Sequence, residues 1–225
     1  MAKVTLHQGD CLEFMKTLDP SSVDAVITDP PYLVDYTGRW SSDIEAIEGD
    51  DDATWVRPAF EQIFRVLKDD SFCVTFYGWP HADVFVGTFK ALGFRIVSHL
   101  VFVKNVWGLG YFTRGQHEQA FLLAKGKPSP PDDPASDVFD WVRVANAKHP
   151  NQKPTRTILD LVDRFSPEGG TVLDPFMGSG TTGVACMKSG RNFIGCEVDP
   201  HHFATAERRI EEARPTLFAA LSGVE

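Results

Sequence analysis

Apolar residues recur along this chain at two spacings, and each spacing names an element. Thr5 and Leu6 belong to a first short strand, with Asp10 after it as a candidate N-cap. Leu12, Met15 and Leu18 then repeat at helical spacing. The apolar run at 23–27 reads as a short buried strand. Val56, Phe60, Ile63, Phe64 and Leu67 form the next helical stripe, capped by Thr54. A strand at 71–77 follows, then a helix from Pro80 with Val84, Phe85, Phe89 and Leu92 inward. Residues 95–104 and 119–125 read as long strands forming an antiparallel pair. Pro154 and Thr155 start a helix whose inner face is Ile158, Leu161, Val162 and Phe165. Strands at 171–173 and 193–196 flank a helix at 182–188. Asp199 then caps a final helix with Pro200 at its first position, and Phe203, Ala206, Ile210 and Ala213 face its core. Such alternation predicts an α/β fold with a mostly parallel sheet. Residues 33–53 read as a long polar loop, and 126–140, rich in Pro, Ser, Gly and Asp, as a linker.

Composition adds bounds. The 225 residues, 43% hydrophobic and 24% charged, suit one globular domain spanning 1–225. No apolar stretch approaches the roughly 20 residues of a membrane span, and the first residues lack a signal-peptide layout. A cytoplasmic protein is expected. Cys11, Cys73, Cys186 and Cys196 lack C-x-x-C spacing and read as core thiols, with no metal site. The net charge of −9 argues against a generally basic nucleic-acid binder, although local pattern outweighs the sum. Acid gathers at 43–52 and 132–140; base gathers at Arg143, Lys148, Lys153 and Arg156.

Two short motifs carry the chemistry. Asp29-Pro30-Pro31-Tyr32 follows the strand at 23–27. Open α/β sheets bind ligands at the carboxyl ends of their strands. The prolines remove two backbone donors, so this corner presents acceptors beside a flat ring. It suits an exocyclic amino group whose base stacks on Tyr32. The second motif is Asp174-Pro175-Phe176-Met177-Gly178-Ser179-Gly180-Thr181-Thr182-Gly183. Its glycines sit between a strand and a helix, and Glu197 lies about 20 residues on, as a nucleotide fingerprint requires. No Gly-Lys-Ser/Thr follows, so it is not a Walker loop.

Together the motifs resemble the S-adenosylmethionine-dependent amino-group DNA methyltransferases, which pair a D-P-P-Y corner with F-x-G-x-G, here Phe176-Met177-Gly178-Ser179-Gly180. The order, catalytic motif first and cofactor motif late, resembles their β group. His7-Gln8-Gly9-Asp10, His117-Glu118 and His149-Pro150-Asn151-Gln152-Lys153-Pro154 resemble further family segments. The resemblance implies a Rossmann-like class I methyltransferase fold. Its seven-stranded sheet would run 3-2-1-4-5-7-6 with one antiparallel strand, entered partway round by circular permutation. The strand at 4–6 would then be third, and those at 172–173 and 192–196 first and second.

The resemblance also assigns roles. Asp29 and the Pro30 carbonyl would accept the two hydrogens of the target amino group while Tyr32 stacks on the base. A base in a duplex must be flipped out to reach them. Phe176, Gly178, Gly180 and Thr181 would line the methionine end of the cofactor, with Asp174 and Lys153 beside it. Glu197 would hold the ribose hydroxyls and Asp10 the adenine amino group. Arg39, Trp40, Arg143, Lys148 and Arg156 would contact double-stranded DNA. Residues 126–148 form a short acidic loop in the target-recognition position, implying a short or relaxed recognition sequence. A homodimer is an expectation too, with Phe139, Trp141, Leu217 and Phe218 as apolar contacts. The favoured product is N6-methyladenine. N4-cytosine methylation is the alternative, then RNA or protein methylation. An NAD-dependent dehydrogenase would leave Asp29-Pro30-Pro31-Tyr32 unexplained. No Pro-Cys occurs to serve a cytosine C5 enzyme.

Overall fold

A computed structural model describes residues 2–32, 53–108, 110–130, 133–134, 136–141 and 153–215. In chain order the elements are β1 (Val4–Gln8), α1 (Cys11–Lys16), β2 (Val23–Thr28), α2 (Val56–Val66), β3 (Leu67–Phe76), α3 (Ala82–Leu92), β4 (Arg95–Lys104), β5 (His117–Lys125), β6 (Val138–Trp141), α4 (Thr155–Phe165), β7 (Thr171–Asp174), α5 (Thr181–Ser189), β8 (Asn192–Glu197) and α6 (Pro200–Glu212). Two helix starts rest on the expected caps. Asp10 accepts from the Glu13 amide at 2.9 Å, and Asp199 from the His202 amide at 2.7 Å.

The strands form one eight-stranded sheet in the order β1-β8-β7-β2-β3-β5-β4-β6. Seven of them reproduce the expected order, with β1 third, β8 second and β7 first. β5 runs antiparallel to both neighbours, β3 and β4. The eighth, β6, departs from expectation. It adds to the edge beside β4, parallel to it, with Val101 opposite Val138 and Lys104 opposite Trp141. It overlaps the end of the segment read as a linker, 126–140. Four residues are too few for a pattern of their own, and the edge of β4 supplies their hydrogen bonds.

Strand alternation sends side chains to two cores. Ala25, Ile27, Val74, Phe76 and Leu122 face α4, α5 and α6. Val23, Val26, Cys73, Phe121 and Leu123 face α1, α2 and α3. Leu67 corrects the expected helix stripe. It leaves the helix with φ −68° and ψ 134° and starts β3, four residues before the expected strand. Asp70, at φ 57°, and a register shift between Val23 and Ala25 absorb the extra length. Pro80 likewise sits in a short 3-10 turn at Trp79–His81, and α3 begins only at Ala82. Trp141, expected on a dimer surface, is buried edge-on to Phe76 and Phe102, because β6 carries it into the core. Phe139 stacks on Phe102 at 5.2 Å; Leu217 and Phe218 lie outside the described residues.

No helix among the described residues is long and apolar enough to cross a membrane. Cys73, Cys186 and Cys196 are buried, Cys11 is half-buried, and all four are free. Burial pushes the Cys11 and Cys196 thiols up to about 12, so they stay neutral. Ile63 is fully buried in α2 against the second core. Ile63→Ala is expected to lower the unfolding free energy by about 2–5 kcal/mol, measured by urea denaturation.

Candidate active site

The carboxyl ends of β8, β7, β2 and β3 stand side by side in the sheet, and both motifs emerge there. β7 and β2 are paired, with Ala25 opposite Val172 and Val26 opposite Leu173. Just beyond the paired residues, Thr28 Oγ1 donates to Asp174 Oδ1 at 2.8 Å. The amide of Phe176 donates to the same oxygen at 3.2 Å. Burial pushes the Asp174 carboxyl up to about 7, against the lowering effect of bonds from Thr182, Thr28 and Phe176, with the Asp29 charge adding a smaller upward push.

The turn after β7 is built by glycine. Gly178 and Gly180 have φ of 51° and 80°, which side-chain-bearing residues rarely adopt. A Cβ on Gly180 would stand 2.8 Å from the Ala206 Cβ on α6, so this glycine also sets the helix approach. A Cβ on Gly178 would meet no atom within 4 Å, which leaves open space over the turn. Glu197 reaches across from β8. Its Oε2 accepts from the Gly178 amide at 2.8 Å and its Oε1 from the Asp199 amide at 2.9 Å. Each carboxylate oxygen keeps a lone pair for a ligand. β1 pairs with β8 so that Gln8 lies opposite Glu197, and the Gly9 amide donates to the Glu197 carbonyl at 2.9 Å. This brings exposed Asp10 beside Glu197 from the other end of the chain, with Oδ1 already used as the α1 cap. His7 stacks on Phe14 at 4.6 Å, a packing role.

The second half of the site is the corner after β2. Lys153 Nζ lies 2.7 Å from Asp29 Oδ2 and donates to the Tyr32 hydroxyl at 2.7 Å. The same ammonium sits 5.0, 4.9 and 5.7 Å from the ring centroids of Tyr32, Phe76 and Trp141. Tyr32 Oη in turn donates to Glu118 Oε2 at 3.4 Å, and Glu118 is held by Lys104. Burial, then the Asp29 and Glu118 carboxylates, hold the Tyr32 phenol well above its ordinary range, so it is neutral. Asp29 Oδ1 is buried and has no hydrogen-bond partner among the described residues. A buried acceptor without a partner costs about 1–3 kcal/mol, a cost that a donor brought by a ligand would offset.

The structure thus gathers Asp29, Pro30, Tyr32, Lys153, Asp174, Phe176, Gly178, Gly180, Thr181 and Glu197 along one edge. Arg156 is exposed in the first turn of α4. Arg39, Trp40, Arg143 and Lys148 lie outside the described residues. Several supporting residues carried no sequence signal. Arg209 on α6 clamps the glycine turn through the Ser179 carbonyl and hydroxyl, the latter at 2.8 Å. Trp55 meets the Phe176 ring edge-on at 5.2 Å. A Cβ on Gly78 would stand 2.4 Å from the Tyr32 carbonyl oxygen, so Gly78 gives Tyr32 its place. Only Glu118 carries a sequence signal, through the segment it shares with His117.

Residues 23–208 match the DNA methylase family model for N6 and N4 enzymes. The chain is 40% identical over 203 residues to a protein of Escherichia coli K12 provisionally named methylase YubD, covering 90% of this chain and 88% of that one. Among solved structures it resembles the complex of M1.HpyAVI with SAM, at TM-score 0.73 and 24% identity, over 92% of this chain and 98% of that one. It also resembles the cytosine-N4-specific PvuII DNA methyltransferase, at TM-score 0.75 and 17% identity, over 93% and 86% of the two chains.

Asp174 predicts a pH effect. Its folded pKa stands above the ordinary 3.8, so between about 4 and 7 the folded state holds a proton that the unfolded state has lost. Its contribution to stability therefore falls as pH rises through that window. Urea midpoints at pH 5 and pH 8 are expected to drop more for the wild type than for Asp174→Asn. An equal drop removes Asp174 as the cause.

Proposed function

The chain belongs to the DNA methylase family, and we propose that it transfers a methyl group from S-adenosylmethionine to the N6 amino group of adenine in double-stranded DNA. The observation that carries this reading is the buried Asp29 Oδ1, unpaired among the described residues, beside a neutral aromatic ring at a strand end.

The residues at the β7 and β8 ends fit the methyl donor. Glu197, fixed by two backbone amides, offers its remaining lone pairs to ribose hydroxyls. Asp10 offers its second oxygen to the adenine amino group. The open face of Gly178 leaves room for backbone approach. Asp174, with Phe176 and Thr181 beside it, faces the amino-acid end, where a cationic ammonium favours its ionised form. When bound, S-adenosylmethionine supplies an electrophilic methyl group on a sulfonium.

The chain's own residues prepare the acceptor. An aromatic amino group is a weak nucleophile because its lone pair is delocalised into the ring. Asp29 Oδ1 and the Pro30 carbonyl accept its two hydrogens and turn the lone pair toward the donor. Tyr32 holds the base plane by stacking, and its neutral phenol adds no charge to the pocket. Lys153 keeps Asp29 Oδ2 occupied, which leaves Oδ1 for the base. Positioning of this kind can supply much of the rate. The flipped base leaves its duplex partner behind. Asp at the first motif position supports adenine over cytosine, by the resemblance described above.

Digestion of methylated DNA to nucleosides, separated by mass, is expected to yield N6-methyladenine; N4-methylcytosine alone refutes the adenine assignment. Asp29→Ala is expected to cut transfer by about 10²-fold or more while leaving most cofactor affinity. Glu197→Ala is expected to weaken cofactor binding about 10–100-fold, from the loss of charged hydrogen bonds. Calorimetric titration measures both, and normal binding by Glu197→Ala would show that the ribose lies elsewhere.

A further inference from the structure

The β4–β5 hairpin is larger than its sheet pairing requires. Beyond Lys104 and His117 it continues as a two-stranded ribbon, closed by the Lys104 amide on the Gln116 carbonyl at 2.7 Å and the Gly108 amide on Gly115 at 2.8 Å. At its apex a Cβ on Gly110 would fall 1.8 Å from the Thr113 carbonyl oxygen, so the tight turn depends on glycine there. Tyr111 and Phe112 sit in this turn, each 95% exposed, edge-to-face on each other at 5.1 Å. Trp107 below them is 67% exposed. Three large rings held out in water on one short ribbon mark a contact surface.

Position and charge say what the ribbon meets. β4 runs parallel to β3 through their shared partner β5, so the ribbon rises from the carboxyl edge that carries Asp29. Its base is joined to the catalytic corner through Lys104, Glu118 and Tyr32. A partner on this tip therefore also meets the catalytic mouth. Residues 105–116 contain Arg114 and no acid, in a chain of net charge −9. A two-stranded ribbon fits the major groove. Removing a base from a duplex leaves a gap in the stack, and apolar side chains can fill such gaps.

Resting on the reading of this chain as an enzyme that flips its target base, we propose that the ribbon carrying Trp107, Tyr111, Phe112 and Arg114 is the duplex-docking element, and that Tyr111 and Phe112 enter the DNA at the target step and take the place of the extruded base. Arg114 lies beside the phosphates, and the neck of the ribbon holds Tyr32 in register with the base the tip has displaced. Docking and base capture are then one rigid unit.

The test uses the full chain and needs no recognition sequence. Fluorescence anisotropy compares a labelled duplex carrying one abasic site with the same duplex intact, for the wild type and for the double variant Tyr111→Ala/Phe112→Ala. The wild type is expected to favour the abasic duplex about tenfold, and the variant to lose that preference. Methyl transfer to unmethylated plasmid DNA is expected to fall about tenfold or more in the variant, with an unchanged KM for S-adenosylmethionine. Phe112→Trp on the Tyr111→Ala background restores the preference in part. No preference in the wild type, or a preference the variant keeps, overturns the proposal. A wild-type dimer that the variant turns into a monomer in sedimentation also overturns it, making the tip a self-association surface. If neither protein methylates any DNA, the methyl-transfer reading fails, and the abasic comparison still decides the ribbon.

Discussion

The hydrogen bond from Thr28 to Asp174 joins residues 146 positions apart, and the site depends on the strand pairing it extends. β2 delivers Asp29 and β7 delivers the glycine turn. Only because the two strands are sheet neighbours do the Asp29 corner and the glycine turn stand side by side at one end of the sheet. The bond is made by a carboxyl group buried among Thr28, Thr182 and the Phe176 amide, where burial disfavours its ionised form. It ties the strand ends at a point where slippage would separate the two motifs. A one-residue slip of β2 would also turn Asp29 to the opposite face of the sheet.

Around that seam the protein fixes charges with rings and backbone amides. Lys153 lies among three aromatic faces and holds one oxygen of Asp29. Glu197 is held by two backbone donors. In each case the group that would meet a ligand is oriented before the ligand arrives, which reduces the ordering left to be done on binding. The chain of contacts from Lys104 through Glu118, Tyr32 and Lys153 to Asp29 extends this rigidity to the neck of the β4–β5 hairpin.

Much of the frame could be read from the sequence because it is written over short distances. The apolar stripe of α4, the Asp199-Pro200 start of α6 and the alternating strands each depend on neighbours within a turn or two. The errors also have local causes. Leu67 continued a helical stripe yet belongs to β3, because pairing with Val23 outweighs one more turn. β6 was hidden in a proline-rich segment, since an edge strand of four residues is defined by the partner it adds to.

The sequence by itself determined the alternating α/β elements, both motifs and the Asp10 and Asp199 caps, since dihedral preference, hydrophobic period and capping act between adjacent residues. It also pointed to the expected sheet order, through a resemblance. Only the tertiary structure decided where Lys153 rests, because Asp29 comes from the corner after β2 and Phe76 and Trp141 from β3 and β6, whose side chains meet only after the sheet is assembled. It alone showed that Gly78 makes room for Tyr32 and that Arg209 clamps the glycine turn, which are matters of steric fit between distant segments. It alone showed Asp29 Oδ1 buried and without a partner among the described residues. Local patterns set what each segment can become; close packing of the two cores against one sheet sets which segments meet.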